Sequence, residues 1–247
     1  MPQKIFITGS ADGLGLLAAK LLVSQGNQVV LHARNSERGR QAMTLVPGAE
    51  AVLIADISKR EETIQLASDV NALGRFDAII HNAGVYQDSG KVIAEVNFIA
   101  PYILTSLIQK PDRLIYLSSG MHRSGNPDSS KLSVNDPKCS YSDSKLFILM
   151  LCKILARKCP TVFANAVDPG WVPTKMGGKN APDNLQKGFE TQCWLAEGKD
   201  VETKVSGQYF HHKKLTDHHS GADDIDAQDE LLTWAEKVSN CELRMNN

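Results

Sequence analysis

The sequence predicts an α/β fold with a doubly wound, mostly parallel seven-stranded sheet and helices on both faces. Three observations carry this. Short β-branched runs alternate with longer amphipathic segments along the chain, the pattern of repeated β-α-β units, whose right-handed crossovers place helices on both sides of a parallel sheet. Strand runs such as "KIFIT" and "QVVLHA" are continuously apolar, as when both sheet faces are covered. The first strand also runs into a glycine-rich turn, "TGSADGLG" (8–15), that opens a helix.

The elements follow in order. "KIFIT" (4–8) is a strand, and "LGLLAAKLLVSQGN" (14–27) has helical periodicity ending at Gly26-Asn27, a helix-stop signal. "QVVLHA" (28–33) is a strand; 36–46 is a helix capped by Asn35 or Ser36 and ended by Pro47-Gly48; 50–56 is a strand. A helix over 59–74 ends at glycine, a strand lies within 76–84, and an unbroken helix is expected over 91–110. Then come a strand (113–119), a helix opened by "YSDSK" (141–145), a strand (161–170), a helix (185–198), a short strand (207–212) and a final helix (224–240). No composition shift marks a linker, so residues 1–247 are expected to form a single domain.

Composition narrows the function classes. With 42% hydrophobic residues the chain of 247 is rich enough for a sizeable core, unlike a disordered chain. A formal net charge of −1 argues against nucleic acid or a membrane surface as partner, since both call for a basic patch. No apolar run approaches the roughly 20 residues that span a bilayer, and "MPQKIFITGS" does not read as a signal or transit peptide. Five cysteines without a C-x-x-C pair suit free thiols in a reducing cytoplasm.

Three sites along the chain point to chemistry. In the glycine turn, Gly9, Gly13 and Gly15 allow a tight bend and close approach of backbone to a pyrophosphate, and the helix start offers free N–H groups to that anion. In "YSDSK", Tyr141 and Lys145 stand four apart and so share a helix face. An ammonium beside a phenol favours the phenolate. Lowering a tyrosine pKa by about three units requires roughly 4 kcal/mol of differential interaction. After the second strand, "HARNSERGR" lacks the acid that would bind a ribose 2′-OH. Arg34 stands there instead, with Arg38 a turn later, and arginine suits a doubly charged phosphate. NADP(H) is therefore favoured as cofactor over NAD(H), solvated arginines at a helix start being the other reading.

The glycine loop, "HNAG" (81–84), "LSS" (117–119) and "YSDSK", in this order, resemble the short-chain dehydrogenase/reductase superfamily over residues 4 to about 240. The resemblance implies a Rossmann-like fold and hydride transfer between a nicotinamide cofactor and a carbonyl or secondary alcohol. It makes Tyr141 and Lys145 the catalytic pair, Ser119 the hydroxyl that orients the carbonyl, and Asn97 the holder of a water in a proton relay. It assigns cofactor binding to the loop residues Gly9, Ala11, Asp12, Gly13, Leu14 and Gly15. Asp56 and Ile57 would lie at the adenine, and Asn82, Ala83 and Gly84 beside the adenosine. Pro169, Gly170, Val172 and Thr174 would run along the nicotinamide. His81 replaces the first asparagine common in the family.

The long stretch between Ser119 and Tyr141, "SSGMHRSG" and "DAQDELLTWAEKVS" resemble the branch of retinol dehydrogenases and WW-domain oxidoreductases. The anchor and WW modules of that branch are absent, which suggests a soluble, prokaryotic-type relative. The resemblance also implies a homodimer packed through the helices 91–110 and 142–158, monomers being found in the branch as well. The insertion is expected to be a loop beside the pocket, and "KMGGKNAPDN" (175–184) a substrate lid. Tyr86, Met121, Trp171 and Met176 either line an apolar pocket or pack loops against the core, and a small, apolar carbonyl compound is the expected substrate. "HHKKLTDHH" (211–219) reads as a solvated loop, with no metal site. A non-catalytic NADP-binding redox sensor is the alternative to an enzyme. Its discriminating feature is that a sensor need not keep Asn97, Ser119, Tyr141 and Lys145 together.

Overall fold

The structure, a computed structural model, describes residues 2–130 and 132–243. Its eight strands form one sheet in the order β3-β2-β1-β4-β5-β6-β7-β8. They are β1 Lys4–Ile7, β2 Gln28–Ala33, β3 Ala51–Ile54, β4 Ala78–His81, β5 Arg113–Leu117, β6 Phe163–Asp168, β7 Gln208–His211 and β8 Lys214–Leu215. The first seven pair in parallel; β8 returns antiparallel on β7. The strand count thus exceeds the expected seven by one. The extra strand falls in the histidine-rich stretch read as a loop. His212 and Lys213 make the turn of the hairpin, with φ of 49° and 64°. Neither is a glycine or asparagine, the residues that normally announce such a turn.

The helices are α1 Gly13–Ser24, α2 Ser36–Leu45, α3 Arg60–Ala72, α4 Gly90–Ala94, α5 Ala100–Leu107, α6 Tyr141–Lys158, α7 Leu185–Glu197 and α8 Ile225–Ser239. Alternate strand residues feed two cores, as period-two geometry requires. Ile5, Ile7, Val29 and Leu31 meet α1, α2 and α7 on one face. Phe6, Val30, Ile79 and Tyr116 meet α3, α5, α6 and α8 on the other. No helix among the described residues is long and apolar enough to cross a membrane.

The helix expected over 91–110 is not uniform. Between α4 and α5, Glu95–Ile99 form a π-helical turn. Pro101 explains it: a proline has no N–H, and its ring crowds the carbonyl four residues back, which here belongs to Asn97. Widening the helix there resolves the clash. α8 also lies across this rod and α6, with Trp234 stacked on Phe98 at 5.8 Å. The Tyr102 hydroxyl donates to the Cys241 carbonyl at 3.0 Å. α8 thus covers part of the two helices through which the expected dimer would pack.

Two buried histidines tie stability to pH. His81 stacks on Tyr116 at 4.7 Å, and burial pushes its pKa down to about 3. His32 is pushed down to about 4, again chiefly by burial. The unfolded chain binds these protons near pH 6.5 and the folded chain does not, so stability is present above 6.5 and falls with acidification. Between pH 7 and pH 5 the two together should cost roughly 4 kcal/mol. Urea unfolding at both pH values measures this. In His81→Phe about half of the loss should vanish; an unchanged pH dependence would remove His81 from the account.

Candidate active site

A cleft of about 380 Å³ opens at the carboxyl ends of the parallel strands, where the order turns outward on either side of β1 and β4, the place where such sheets bind ligands. Gly9, Ala11, Asp12, Gly13 and Leu14 line it, with Arg34, Asp56, Ile57, Asn82, Ala83, Gly84, Pro169, Thr174, Tyr141 and Lys145. Sheet order alone brings these segments together.

The glycine loop is clamped from three directions. Gly9 has a φ of +64°, and a Cβ on it would stand 2.9 Å from the Ala83 Cα. Asn82 donates from Nδ2 to the Thr8 and Gly9 carbonyls at 3.0 and 3.2 Å. A side chain on Gly15 would collide with that same amide, at 2.4 Å. His32 completes the clamp: its Nδ1 accepts from the Gly9 N–H at 2.9 Å and its Nε2–H donates to the Ala55 carbonyl at 3.0 Å. Both bonds require a neutral ring, which its lowered pKa supplies. Asp12 caps α1 through the Gly13 N–H at 2.8 Å. Beyond Gly13, the first-turn N–H groups of the helix have no intrahelical acceptors.

Charge is concentrated beside this loop. Oδ2 of Asp12 meets Arg38 at 3.2 Å and Lys175 at 2.6 Å. Those contacts and the Gly13 N–H outweigh burial and hold its carboxyl below the usual range. Arg34 lines the cleft one turn before Arg38 and makes no side-chain hydrogen bond among the described residues. Asp56 is held down by bonds from the Ser58 hydroxyl at 2.7 Å and N–H at 3.1 Å, against a burial cost. Basic groups thus face an opening whose nearest carboxylates are already engaged.

At the other end stands Tyr141, first residue of α6. The helix begins there because Ser140 and Asp143 cap it reciprocally, Ser140 Oγ accepting from the Asp143 N–H and Asp143 Oδ2 from the Ser140 N–H. One turn on, the Lys145 ammonium lies 5.4 Å from the Tyr141 ring centre and donates to the Leu117 carbonyl at 2.8 Å. Burial lowers the Lys145 pKa to about 8. Burial raises that of Tyr141 to about 12; the Ser119 hydroxyl opposes the rise, and Asp168 and Tyr86 add to it. The expected lowering of the phenol rests on the ammonium together with a bound, positively charged nicotinamide. In the protein by itself desolvation dominates, and the phenol keeps its proton.

Sequence comparison agrees with this geometry. Residues 3–110 match the family described as short chain dehydrogenase. An uncharacterized oxidoreductase of Emericella nidulans is 41% identical over 96% of both chains. The short-chain dehydrogenase chry4 of Gibberella zeae is 38% identical over 97% of this chain and 98% of its own. The chain belongs to the short-chain dehydrogenase family. It is accordingly a nicotinamide-dependent oxidoreductase. The fold agrees: a short chain dehydrogenase of Shigella flexneri, solved in complex with NADP, superposes with a TM-score of 0.68 at 23% identity, over 86% of this chain and 97% of that one.

Within this short-chain dehydrogenase, five of the residues expected at the site do not reach the cleft wall. Gly15 packs against Asn82. Gly170 turns the chain and donates to Asp168 Oδ1 at 2.9 Å. Val172 is buried, its carbonyl taken by the Thr174 N–H at 2.8 Å. Asn97, in the π-turn, brackets Val85 with bonds of 2.8 and 2.9 Å and donates to Ser144 Oγ at 3.0 Å. Its amide oxygen and the Lys145 ammonium both approach Gly84. Ser119 sits beyond the wall, where its hydroxyl interacts with Tyr141. Ser118, by contrast, is buried and spends its hydroxyl on the Lys145 carbonyl at 2.8 Å.

Other residues of the site were not anticipated. His32 and Lys175 line the cleft. His122, fully buried, donates from Nδ1 to the Ser119 carbonyl at 2.7 Å and accepts the His219 N–H on Nε2 at 3.1 Å, pinning Ser119 from below. Of the apolar residues that were anticipated, Tyr86 meets the Tyr141 ring edge-on at 4.8 Å. With Met121, Trp171 and Met176 it is exposed, not packed into the core.

Proposed function

We propose that the protein reduces the carbonyl group of a small molecule with NADPH, cofactor and substrate meeting in one domain. The observation that carries this reading is the cleft itself: Arg34, which makes no side-chain hydrogen bond among the described residues, at one end, and a protonated Tyr141 beside Ser119 and Lys145 at the other. The glycine loop and the start of α1 fit a pyrophosphate, and Arg34 with Arg38 fits a 2′-phosphate. The Shigella relative, complexed with NADP, supports the same choice.

When bound, the reduced nicotinamide supplies the hydride that the carbonyl carbon accepts. The chain's own residues handle the rest. Ser119 donates a hydrogen bond that orients the carbonyl oxygen, and Tyr141 gives that oxygen its proton, leaving an alcohol. Lys145 then stabilises the phenolate. Its deep burial strengthens that interaction by excluding water. Asn97 holds the Val85 backbone and Ser144 in place behind the ammonium, where a water can return the proton. A redox sensor would bind the cofactor without needing this donor arrangement, so turnover separates the two readings.

Cofactor choice has a direct test. NADPH should bind more tightly than NADH, and Arg34→Ala should weaken NADPH about tenfold or more while leaving NADH nearly unchanged, since a charged hydrogen bond contributes about 1.5–3 kcal/mol. Fluorescence titration of both cofactors against both proteins measures it. Equal losses would mean that Arg34 does not read the 2′-phosphate.

A further inference from the structure

We infer that Asp168 selects the substrate: its carboxylate accepts a hydroxyl or amine hydrogen from the molecule being reduced, so the preferred substrate is a carbonyl compound carrying such a donor near the carbonyl, on an apolar body. This rests on the reading of Tyr141 as the proton donor.

The direction of Asp168, its exposure and the partners of its two oxygens support it. Asp168 ends β6 two residues after Ala166, whose side chain joins the core beneath α6. Period two therefore turns Asp168 to the same face as Tyr141, and its charge acts on the Tyr141 phenol. Its side chain is 15% exposed, reachable but largely desolvated, so a hydrogen bond there would count for more than one in water.

Its two oxygens differ. Oδ1 accepts the Gly170 N–H at 2.9 Å. Oδ2 receives no backbone N–H among the described residues. The His211 Nδ1 stands 3.7 Å away and donates to the Asp168 carbonyl instead, at 3.2 Å. Gly120, next to Ser119, leaves Oδ2 accessible; a Cβ there would lie 3.1 Å from it. Tyr209 is 1% exposed, and its hydroxyl lies against the same carboxylate; a carboxylate accepts several donors at once, so a ligand's hydrogen can join it.

The mouth is apolar by contrast. Tyr86, Met121, Trp171 and Met176 are exposed, and Tyr86 and Met121 flank Tyr141 and Ser119 directly. An aromatic or aliphatic body would lie among them while its donor reached Asp168. This narrows the expected apolar substrate to an amphipathic one.

The test uses 1-phenylpropan-1-one and its 2-hydroxy, 3-hydroxy and 3-amino derivatives, with NADPH. At least one derivative should exceed the parent ketone about tenfold in kcat/KM. Asp168→Ala should bring that ratio close to one, whatever happens to the absolute rates. Asp168→Asn, which keeps an acceptor for Gly170, should reduce the ratio for the amine most. Calorimetric binding of the same four ketones to the Tyr141→Phe protein with NADPH should show the same order, even if Tyr141 proves not to be the proton donor. No preference for any derivative, no binding of any, or a ratio that survives Asp168→Ala would overturn the assignment.

Discussion

Tyr141→Phe should lower turnover by about 10²–10⁴, the usual cost of losing a positioned acid, while NADPH binding stays nearly unchanged. The substitution removes one oxygen from a ring already packed edge-on against Tyr86, so the start of α6 and its reciprocal cap remain. The expected signature is a loss in kcat at saturating ketone with an unaltered NADPH titration. Turnover near that of the unsubstituted protein would end the proposed chemistry, because no other phenol among the described residues stands beside both Ser119 and Lys145.

Lys145→Ala should harm both cofactor affinity and turnover, each by about tenfold or more, in line with the 1.5–3 kcal/mol of a charged hydrogen bond. The ammonium is buried and joined to the Leu117 carbonyl. The alanine variant leaves that carbonyl unpaired and should also unfold more easily, a cost of about 1–3 kcal/mol. Thermal unfolding separates this from catalysis, and Lys145→Met limits the cavity. Should affinity alone fall, Lys145 would be a cofactor ligand and not a partner of Tyr141.

Much of this protein was legible in local pattern. β2 occupies residues 28–33 as read from its apolar run, and the break at Gly26-Asn27 stands just past α1. Asn35 caps α2 through the Arg38 N–H at 3.0 Å. Tyr141 and Lys145 share a face because the helical repeat demands it. These features depend on residues within a few positions of one another, and burial periodicity and capping chemistry are written at that range.

Long-range placement was decided by the tertiary structure. Lys175 meets Asp12 across 163 positions, and His32 reaches Gly9 only because β2 lies beside β1. Asp168 faces Tyr141 because parallel register sets the end of β6 beside Ser118 and the start of α6. The eighth strand escaped because His212 and Lys213 take left-handed backbone without the usual turn residues; pairing with β7 stabilises a conformation their side chains disfavour. The sequence by itself determined which segments become strands and helices and which few residues carry chemistry, because those depend on local periodicity and side-chain type. Which charges face the phenol, and so which way its proton equilibrium leans, follows from burial and from strand order, and both exist only once the sheet has closed its two cores.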